Sequence, residues 1–160
     1  ELLMGQSIYA FTVGDAQQYE WNLSDPDGNE FQVITESNSL HAPDHALILP
    51  GKLYSIMVRG INPEVPSNFG ASCAIQFQLD QTSLLEDDCQ DDEKKLGDPI
   101  QANPIYYAEN HEFRFENIST GNRTYLYSPA PSTVIPLDGE IENGETYLVS
   151  VRIQYNGGWG

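Results

Sequence analysis

The segment AQQYEWNL at positions 16–23 decides the fold, because it alternates apolar and polar residues and recurs as AENHEFRF at positions 108–115. A second stretch, GKLYSIMVR at 51–59, recurs as GETYLVSVR at 144–152. Both pairs share an offset of about 92 residues, and one inserted residue reconciles them. Alternation with a period of two is typical of a β-strand with one buried face. The chain is therefore expected to hold two tandem copies of one β-module.

Short alternating or apolar runs, separated by Gly, Pro, Asn and Asp, make up both halves of the chain, and helical periodicity is nearly absent. The predicted strands are 8–13, 19–23, 31–34, 45–49, 53–60 and 72–77 in the first copy, and 105–107, 111–115, 124–127, 133–137 and 146–155 in the second. Strands with a turn every 8 to 12 residues or so are typical of antiparallel sandwiches. The sequence predicts an all-β chain of two tandem antiparallel β-sandwich modules of fibronectin type III or immunoglobulin-like character.

The module boundaries follow from composition. The first module is predicted to cover residues 1–79 and the second residues 100–160. Residues 80–99 between them are polar and strongly acidic, as expected of a solvated connector, although the pair Leu84 and Leu85 suggests that part of it packs on a module. The second copy stops where the final strand of the first copy would begin. We therefore expect the second module to be incomplete, as a window cut from a longer array.

The charge balance excludes two classes of partner. Lys and Arg total 7 against 24 Asp and Glu, for a formal net charge of −17. Such a chain repels phosphate backbones and anionic lipids, so neither a nucleic-acid partner nor membrane insertion is expected. No apolar run approaches the 18 or so residues of a membrane-spanning helix. The composition fits an extracellular protein or one that works with divalent cations, and a surface charge that prevents aggregation is the simpler explanation.

The two cysteines, Cys73 and Cys89, lack the CxxC spacing of a zinc site and have no histidine near them in sequence. A disulfide between them in an exported protein is the favoured interpretation, and two unrelated thiols are the alternative. Such a bridge would join the last strand of the first module to the connector.

Two acidic groups are candidate calcium ligands. The first comprises Asp25, Asp27 and Asn29; the second comprises Glu86, Asp87, Asp88, Asp91 and Asp92. The first group lacks the spacing of an EF-hand loop, and its Asp-Pro-Asp-Gly sequence is also what a β-turn requires. The second is equally explained as the solvated charge of a linker. Calcium is therefore the one cofactor considered, and no other cofactor is expected.

No other chemistry is repeated in the two copies. His41, Asp44 and His45 form a small cluster, but the second copy has Ser, Pro and Ala in the corresponding region, so exposed loop residues are the better interpretation. No nucleophile-elbow motif accompanies them. The chain is therefore expected not to be an enzyme. The aromatic residues fall mostly at alternating core positions, and those on the opposite faces of strands leave a glycan-contact surface open.

These motifs in order resemble the tandem repeats of very large Bacteroidota cell-surface proteins, including gliding-motility adhesins exported by the type IX secretion system. The family pattern "A-x-x-Y-x-F/W" matches 16–21 and 108–113, and "G-x-x-Y-x-V-x-V-R" matches 51–59 and 144–152. A "W-G…G-x-x-C-x-I" ending corresponds to 69–75 and to 159–160, and a "T-x-L-x-x-x-D-C" connector corresponds to 82–89. The chain departs from the pattern at Phe69, where Trp is expected, and at Gln90, where Gly is expected.

The resemblance implies a structural and adhesive segment of a long secreted surface protein, a spacer that presents distal binding regions in surface attachment or gliding motility. Its partners would be neighbouring repeats of the same polypeptide and surface glycans or other cell-surface proteins, and its location extracellular. The alternative function is an accessory glycan- or calcium-binding module of a secreted multidomain hydrolase.

Overall fold

The computed structural model describes residues 1–62, 66–90, 94–137 and 139–160, with backbone alone at residues 89 and 90. The chain divides into two compact units, Glu1–Leu79 and Asp80–Gly160. Strands account for 46% of the structure and helix for 4%, which confirms the predicted all-β sandwich class. Within the described ranges, no helix combines the length and the apolar character needed to cross a membrane.

The first unit contains one large and one small sheet. Its strands are Leu2–Leu3 (β1), Ser7–Tyr9 (β2), Gln18–Ser24 (β3), Glu30–Thr35 (β4), Ser39–His41 (β5), Leu53–Ile61 (β6) and Cys73–Gln78 (β7). The large sheet has the order β1-β7-β6-β3-β4, and β2 pairs with β5 in the small one. All these pairings are antiparallel except that of β1 with β7, which is parallel. A 3₁₀ turn at Ala42–Asp44 follows β5.

The second unit repeats this plan. Its elements are Glu86–Gln90 (α1), Pro99–Gln101 (β8), Asn110–Asn117 (β9), Arg123–Ser128 (β10), Ser132–Val134 (β11), Tyr147–Tyr155 (β12) and Gly158–Trp159 (β13). The large sheet has the order β10-β9-β12-β13, and β11 pairs with β8 in the small one. The pairs β2–β5, β3–β4 and β3–β6 of the first unit thus recur as β8–β11, β9–β10 and β9–β12.

Alternation along the central strands builds both cores. In β3, Trp21 and Leu23 point inward and are 1% and 0% exposed. Their counterparts in β9, Phe113 and Phe115, are equally buried and join a cluster that includes Ile100. Because successive side chains of a strand face opposite sides, this apolar face orients each large sheet toward its small sheet.

A tyrosine corner closes each sandwich at the start of the long strand. The Tyr54 hydroxyl accepts a hydrogen bond from the backbone N–H of Leu49, at 2.9 Å. The Tyr147 hydroxyl accepts one from the backbone N–H of Glu142, also at 2.9 Å. A tyrosine bonded to backbone a few residues upstream is a hallmark of immunoglobulin-like sandwiches. The contact explains why the Gly-x-x-Tyr sequence precedes this strand in both copies.

The segment predicted as a connector, residues 80–99, is counted with the second unit. Leu84 forms a β-bridge with Ala102, and the Leu85 N–H donates to the Gln101 carbonyl. Leu84 and Leu96 pack against the core of the second unit. Pro99–Gln101 is already the strand β8. The acidic composition concealed this packing, because only a few apolar side chains anchor an otherwise polar segment.

Two predicted strands are wrong. Residues 45–49 form turns after the 3₁₀ segment, and residues 105–107 also form a turn. Each run contains apolar residues but contacts the core through only one of them. In the first run Ile48 is buried and Leu47 is exposed, and in the second run Tyr107 is buried and Tyr106 is exposed. The strands β5 and β8 were missed because three residues are too few to show a period.

Removing the tyrosine hydroxyls tests the two corners. We expect Tyr54→Phe to lower the free energy of unfolding of the first unit by about 1–3 kcal/mol, because the Leu49 N–H loses its partner beside a buried ring. Tyr147 is less buried, so water can replace its hydroxyl, and Tyr147→Phe should cost about 0.5–1.5 kcal/mol. Urea titration followed through the amide NMR signals of each unit measures both. Equal losses in the two units, or none, would contradict this account.

Candidate functional site

A buried ion pair lies on the outer face of the first large sheet. Glu20 in β3 stands directly opposite Arg59 in β6. The Arg59 Nε and Nη2 atoms both donate to Glu20 Oε2, at 2.9 and 2.7 Å. The ring of Phe69 covers the guanidinium, with 4.4 Å between Cζ and the ring centroid. Glu20 is only 7% exposed, although the strand pattern assigns it to the solvent side.

The same arrangement recurs in the second unit. Glu112 in β9 faces Arg152 in β12, whose Nε and Nη2 atoms donate to the two carboxylate oxygens at 2.7 and 3.0 Å. Trp159 covers the guanidinium at 5.1 Å, and Tyr127 bonds to Glu112 from the other side. The hydrogen bond to Glu112 raises the pKa of the Tyr127 hydroxyl, and burial adds to the effect. We call each such set a Glu–Arg–aromatic clamp.

Sequence reasoning missed both clamps. Glutamate at alternating positions indicated solvent-facing residues, and the arginine was noted only as the end of a motif. The sequence did contain a signal for the ion pairs: the glutamate and the arginine are identical in the two copies, whereas most other outward-facing positions differ. Each carboxylate is held by its arginine, Glu20 through Oε2 and Glu112 through both oxygens.

Beside the second clamp, the outer face forms a shallow pocket of about 200 Å³. Its lining residues are Glu112, Arg114, Tyr125, Ser150, Val151 and Arg152. The Nε atom of Arg114 is buried and has no hydrogen-bond partner within the described ranges. The pocket therefore combines an aromatic ring with polar groups, which is the chemistry of a surface that contacts polar ligands.

The first calcium candidate forms an internal ion pair. Asp25 Oδ1 accepts hydrogen bonds from the backbone N–H groups of Asp27 and Asn29, at 3.0 and 2.9 Å. Lys52 Nζ lies 3.0 Å from carboxylate oxygens of both Asp25 and Asp27. The pKa of Asp25 is lowered to about 2, chiefly by the hydrogen bond from the Asn29 side chain. The hydrogen bond from Lys52 also lowers it, whereas burial raises it. A lysine thus occupies the position where a cation would neutralise these oxygens.

The second calcium candidate is only partly described. Asp88 pairs with Lys94 at 2.7 Å and accepts a hydrogen bond from the backbone N–H of Gln101. Glu86 and Asp87 lie with Asp88 in the first turn of α1, where carboxylates interact favourably with the helix dipole. Asp91 and Asp92 lie outside the described residues. In the described part of the chain, no three His, Cys, Asp or Glu side chains are grouped closely enough to hold a metal ion.

The remaining candidates are separate. Cys73 is exposed, at the start of β7 in the first unit. The side chain of Cys89, which belongs to the second unit, lies outside the described residues, and the disulfide stays a prediction. His41 lies in β5, where its ring contacts the Ser7 hydroxyl at 3.3 Å, and Asp44 ends the 3₁₀ turn that follows. Burial lowers the pKa of His45, opposed by Asp44.

His111 is a buried residue whose role the sequence did not reveal. It occupies in β9 the position of Tyr19 in β3, whose hydroxyl accepts a hydrogen bond from Val13 N–H at 3.0 Å. His111 is 2% exposed, and its ring nitrogens have no hydrogen-bond partner within normal geometry among the described residues. Burial lowers its pKa, opposed by the Ser128 carbonyl, so the ring is held neutral as a core residue.

Comparison with known proteins gives only distant structural similarities. No family profile matches the chain, and no curated protein matches its sequence. It resembles a segment of two fibronectin type III domains from chicken tenascin, with 14% identity over 93% of this chain and 83% of that one and a TM-score of 0.42. It also resembles the chicken interferon gamma receptor alpha chain, with 14% identity over 98% of this chain and 87% of that one and a TM-score of 0.43.

A third similar structure, the FN1–FN3 domains of chicken CNTN1, shows 13% identity over 91% of this chain, with a TM-score of 0.34. The chain spans about half of its length, namely 51%. At these identities and scores the similarities carry no argument about function.

Breaking the clamps tests their contribution. We expect Arg59→Met to lower the free energy of unfolding of the first unit by about 2–4 kcal/mol, because it leaves the Glu20 carboxylate buried and unpaired. The double variant Glu20→Gln/Arg59→Met should recover much of that loss. Arg152 is more exposed, so Arg152→Met should cost about 1–2 kcal/mol. Urea titration of single and double variants measures the coupling, and additive losses would contradict the clamp.

The Asp25 carboxylate provides a pH test. Its pKa is lowered, so its contribution to stability is present above about pH 4 and is lost as the pH falls toward 2. We expect its carbon NMR signal to titrate with a midpoint of about 2. Asn29→Ala should raise that midpoint more than Lys52→Met, because the asparagine hydrogen bond is the larger cause. A midpoint near 3.8, or a response of the signal to added calcium, would contradict this assignment.

Proposed function

We propose that the chain is a structural and adhesive repeat segment of a long secreted cell-surface protein, with its sandwich modules acting as spacers that present distal binding regions. The observation that supports this proposal is that the two units share three structural features. Strand register, tyrosine corner and Glu–Arg–aromatic clamp recur in both, and all three maintain shape. The histidine cluster and the Asp25 cluster occur in one unit only and make their contacts within it.

The parent protein would work in surface attachment or gliding motility, as the resemblance to the Bacteroidota repeats implies, and would be extracellular. Its partners would be neighbouring repeats of the same polypeptide and surface glycans or other cell-surface proteins. The net charge of −17 supports a spacer, since like-charged modules in an array repel one another and resist aggregation. The same charge disfavours nucleic acid and anionic membranes as partners.

The outer-face pocket favours a second candidate function, an accessory glycan-binding module of a secreted hydrolase. Tyr125 lines the pocket and is 42% exposed. On the same face of β10, Tyr127 is 63% exposed, and Trp159 packs on it with 5.9 Å between ring centroids. Aromatic faces beside polar groups suit sugar rings. The first unit has the exposed Ile34 in the place of Tyr127, so among the residues that the structure describes the row of Tyr127 and Trp159 has no counterpart there.

Single-molecule stretching of the 160-residue chain tests the spacer role. We expect two separate unfolding events, because each unit has its own core, and each event should lengthen the chain by about 25 nm, the contour length of roughly 80 residues less the folded extension. Arg59→Met should lower the force of one event and leave the other unchanged, since its clamp lies in the first unit.

Unfolding at forces too low to detect would contradict a mechanical spacer role.

Titration with soluble polysaccharides separates the two candidate functions. Binding that Trp159→Ala abolishes, while the matched first-unit variant Phe69→Ala retains it, would favour the accessory module instead.

A further inference from the structure

One arginine on the outer face of the second large sheet has donors that the described residues leave without a partner. Arg114 in β9 lies directly between Tyr125 in β10 and Ser150 in β12, and all three line the pocket of about 200 Å³. Within the described ranges, no acceptor bonds to its buried Nε and no carboxylate pairs with its side chain. An unpaired buried donor of a charged group is costly. We call Tyr125, Arg114 and Ser150 the Arg114 row.

The other three arginines of the chain show which group such a side chain binds here. Each donates from Nε to a glutamate at 2.7 to 2.9 Å; the pairs are Arg59–Glu20, Arg123–Glu116 and Arg152–Glu112. Arg114 stands between Glu112 and Glu116 along β9, but each of these carboxylates is already held by another arginine. The two glutamates and three arginines leave one positive charge, at Arg114. The group that fits it is a further carboxylate, which a guanidinium binds with two parallel hydrogen bonds.

The first unit has no charge in the corresponding row. The counterparts of Tyr125, Arg114 and Ser150 are, in the same order, Gln32, Asn22 and Met57. The clamp one row away recurs in both units, whereas the arginine of this row does not. The shared framework therefore forms without a charge at this position, and a contact outside the unit explains Arg114 better than stability does.

The surroundings of Arg114 narrow the carrier of the carboxylate. A pocket of about 200 Å³ is smaller than the roughly 300 Å³ or more of most small-molecule sites, so it admits a single ring. Tyr125 is 42% exposed and offers an aromatic face, and the Ser150 hydroxyl can bond to ring hydroxyls. The net charge of −17 repels a dense polyanion. The ligand that fits is a sugar with one carboxylate.

We propose that the Arg114 row binds a carboxylate-bearing sugar, a uronic acid unit of a glycan. On binding, the guanidinium turns so that Nε and one Nη donate to the carboxylate, as Arg152 already does to Glu112. Tyr125 packs on the sugar ring, and Ser150 bonds to one of its hydroxyls. This inference goes beyond the spacer role, and in taking a sugar as the carrier it rests on the glycan contact proposed for the same face.

Glucuronic acid added to the 160-residue chain at neutral pH is the probe, with glucose and acetate as matched controls. We expect glucuronate to shift the amide NMR signals of Arg114, Tyr125 and Ser150, with a dissociation constant in the range of about 1 mM. Glucose lacks the carboxylate and acetate lacks the ring, so each should bind at least about 10-fold more weakly. The signals of the three counterparts in the first unit should not move.

Arg114→Asn gives the second unit the residue that the first unit has at this position. It should weaken glucuronate binding at least about 10-fold, to the level of glucose, because the charged donor pair is lost. Arg114→Lys keeps the charge without the planar fork and should recover only part of the affinity. Lys52→Gln removes the same charge from the first unit and should leave binding unchanged, which separates the local site from the net charge.

Three results would overturn the proposal: no shifts at about 20 mM glucuronate, well above the expected millimolar range; equal binding of glucose; or unchanged binding in Arg114→Asn. Tighter binding of the peptide Gly-Glu-Gly would also overturn it, since a protein carboxylate would then be the ligand. Polysaccharide binding that Trp159→Ala abolishes and Arg114→Asn retains would leave the glycan contact standing without the carboxylate site. The glucose and acetate arms keep the test decisive where Arg114→Asn fails to fold.

Discussion

The register between the two longest strands of each unit is the constraint on which the rest of the structure depends. Glu20 faces Arg59 across β3 and β6, and Glu112 faces Arg152 across β9 and β12. A slip of one residue would turn each glutamate into the core and the apolar face toward water. A buried carboxylate without its arginine is strongly unfavourable, so the clamp penalises every register but one. The core face and the clamp thus specify the same pairing from opposite sides of the sheet.

The position of the tyrosine corner follows from that register. Tyr54 and Tyr147 lie on the same strands as the two arginines and reach back to the chain that enters each strand. The segment that leads into each long strand follows the turn after the small sheet. Because the tyrosine holds this segment, the position of the long strand also determines how the small sheet packs over the core. The three repeated features therefore act as one set of restraints. Each unit therefore holds its strands in place through contacts among its own residues.

The sequence predicted the strands whose apolar and polar side chains alternate over several residues. It did not predict the segments whose conformation depends on a single contact with the core. The strands β3, β6, β9 and β12 were predicted because apolar residues recur at alternate positions along a run of five or more residues in each. The packing of Leu84 was partly anticipated, but the strand β8 was hidden in acidic surroundings. The calcium candidates stay a prediction: composition identified Asp25 and Asp27, but only the fold places Lys52 beside them, since Lys52 lies on a separate segment of the chain.

On the outer faces of the large sheets, the two units differ beside the shared framework. The row Tyr127, Glu112, Arg152 and Trp159 extends the clamp across the second sheet, whereas the first has an aliphatic residue at the position of Tyr127. A repeat that preserves its framework can change its edges and outer face at little cost to stability. The aromatic row is therefore a part of the outer face at which the second unit departs from the first.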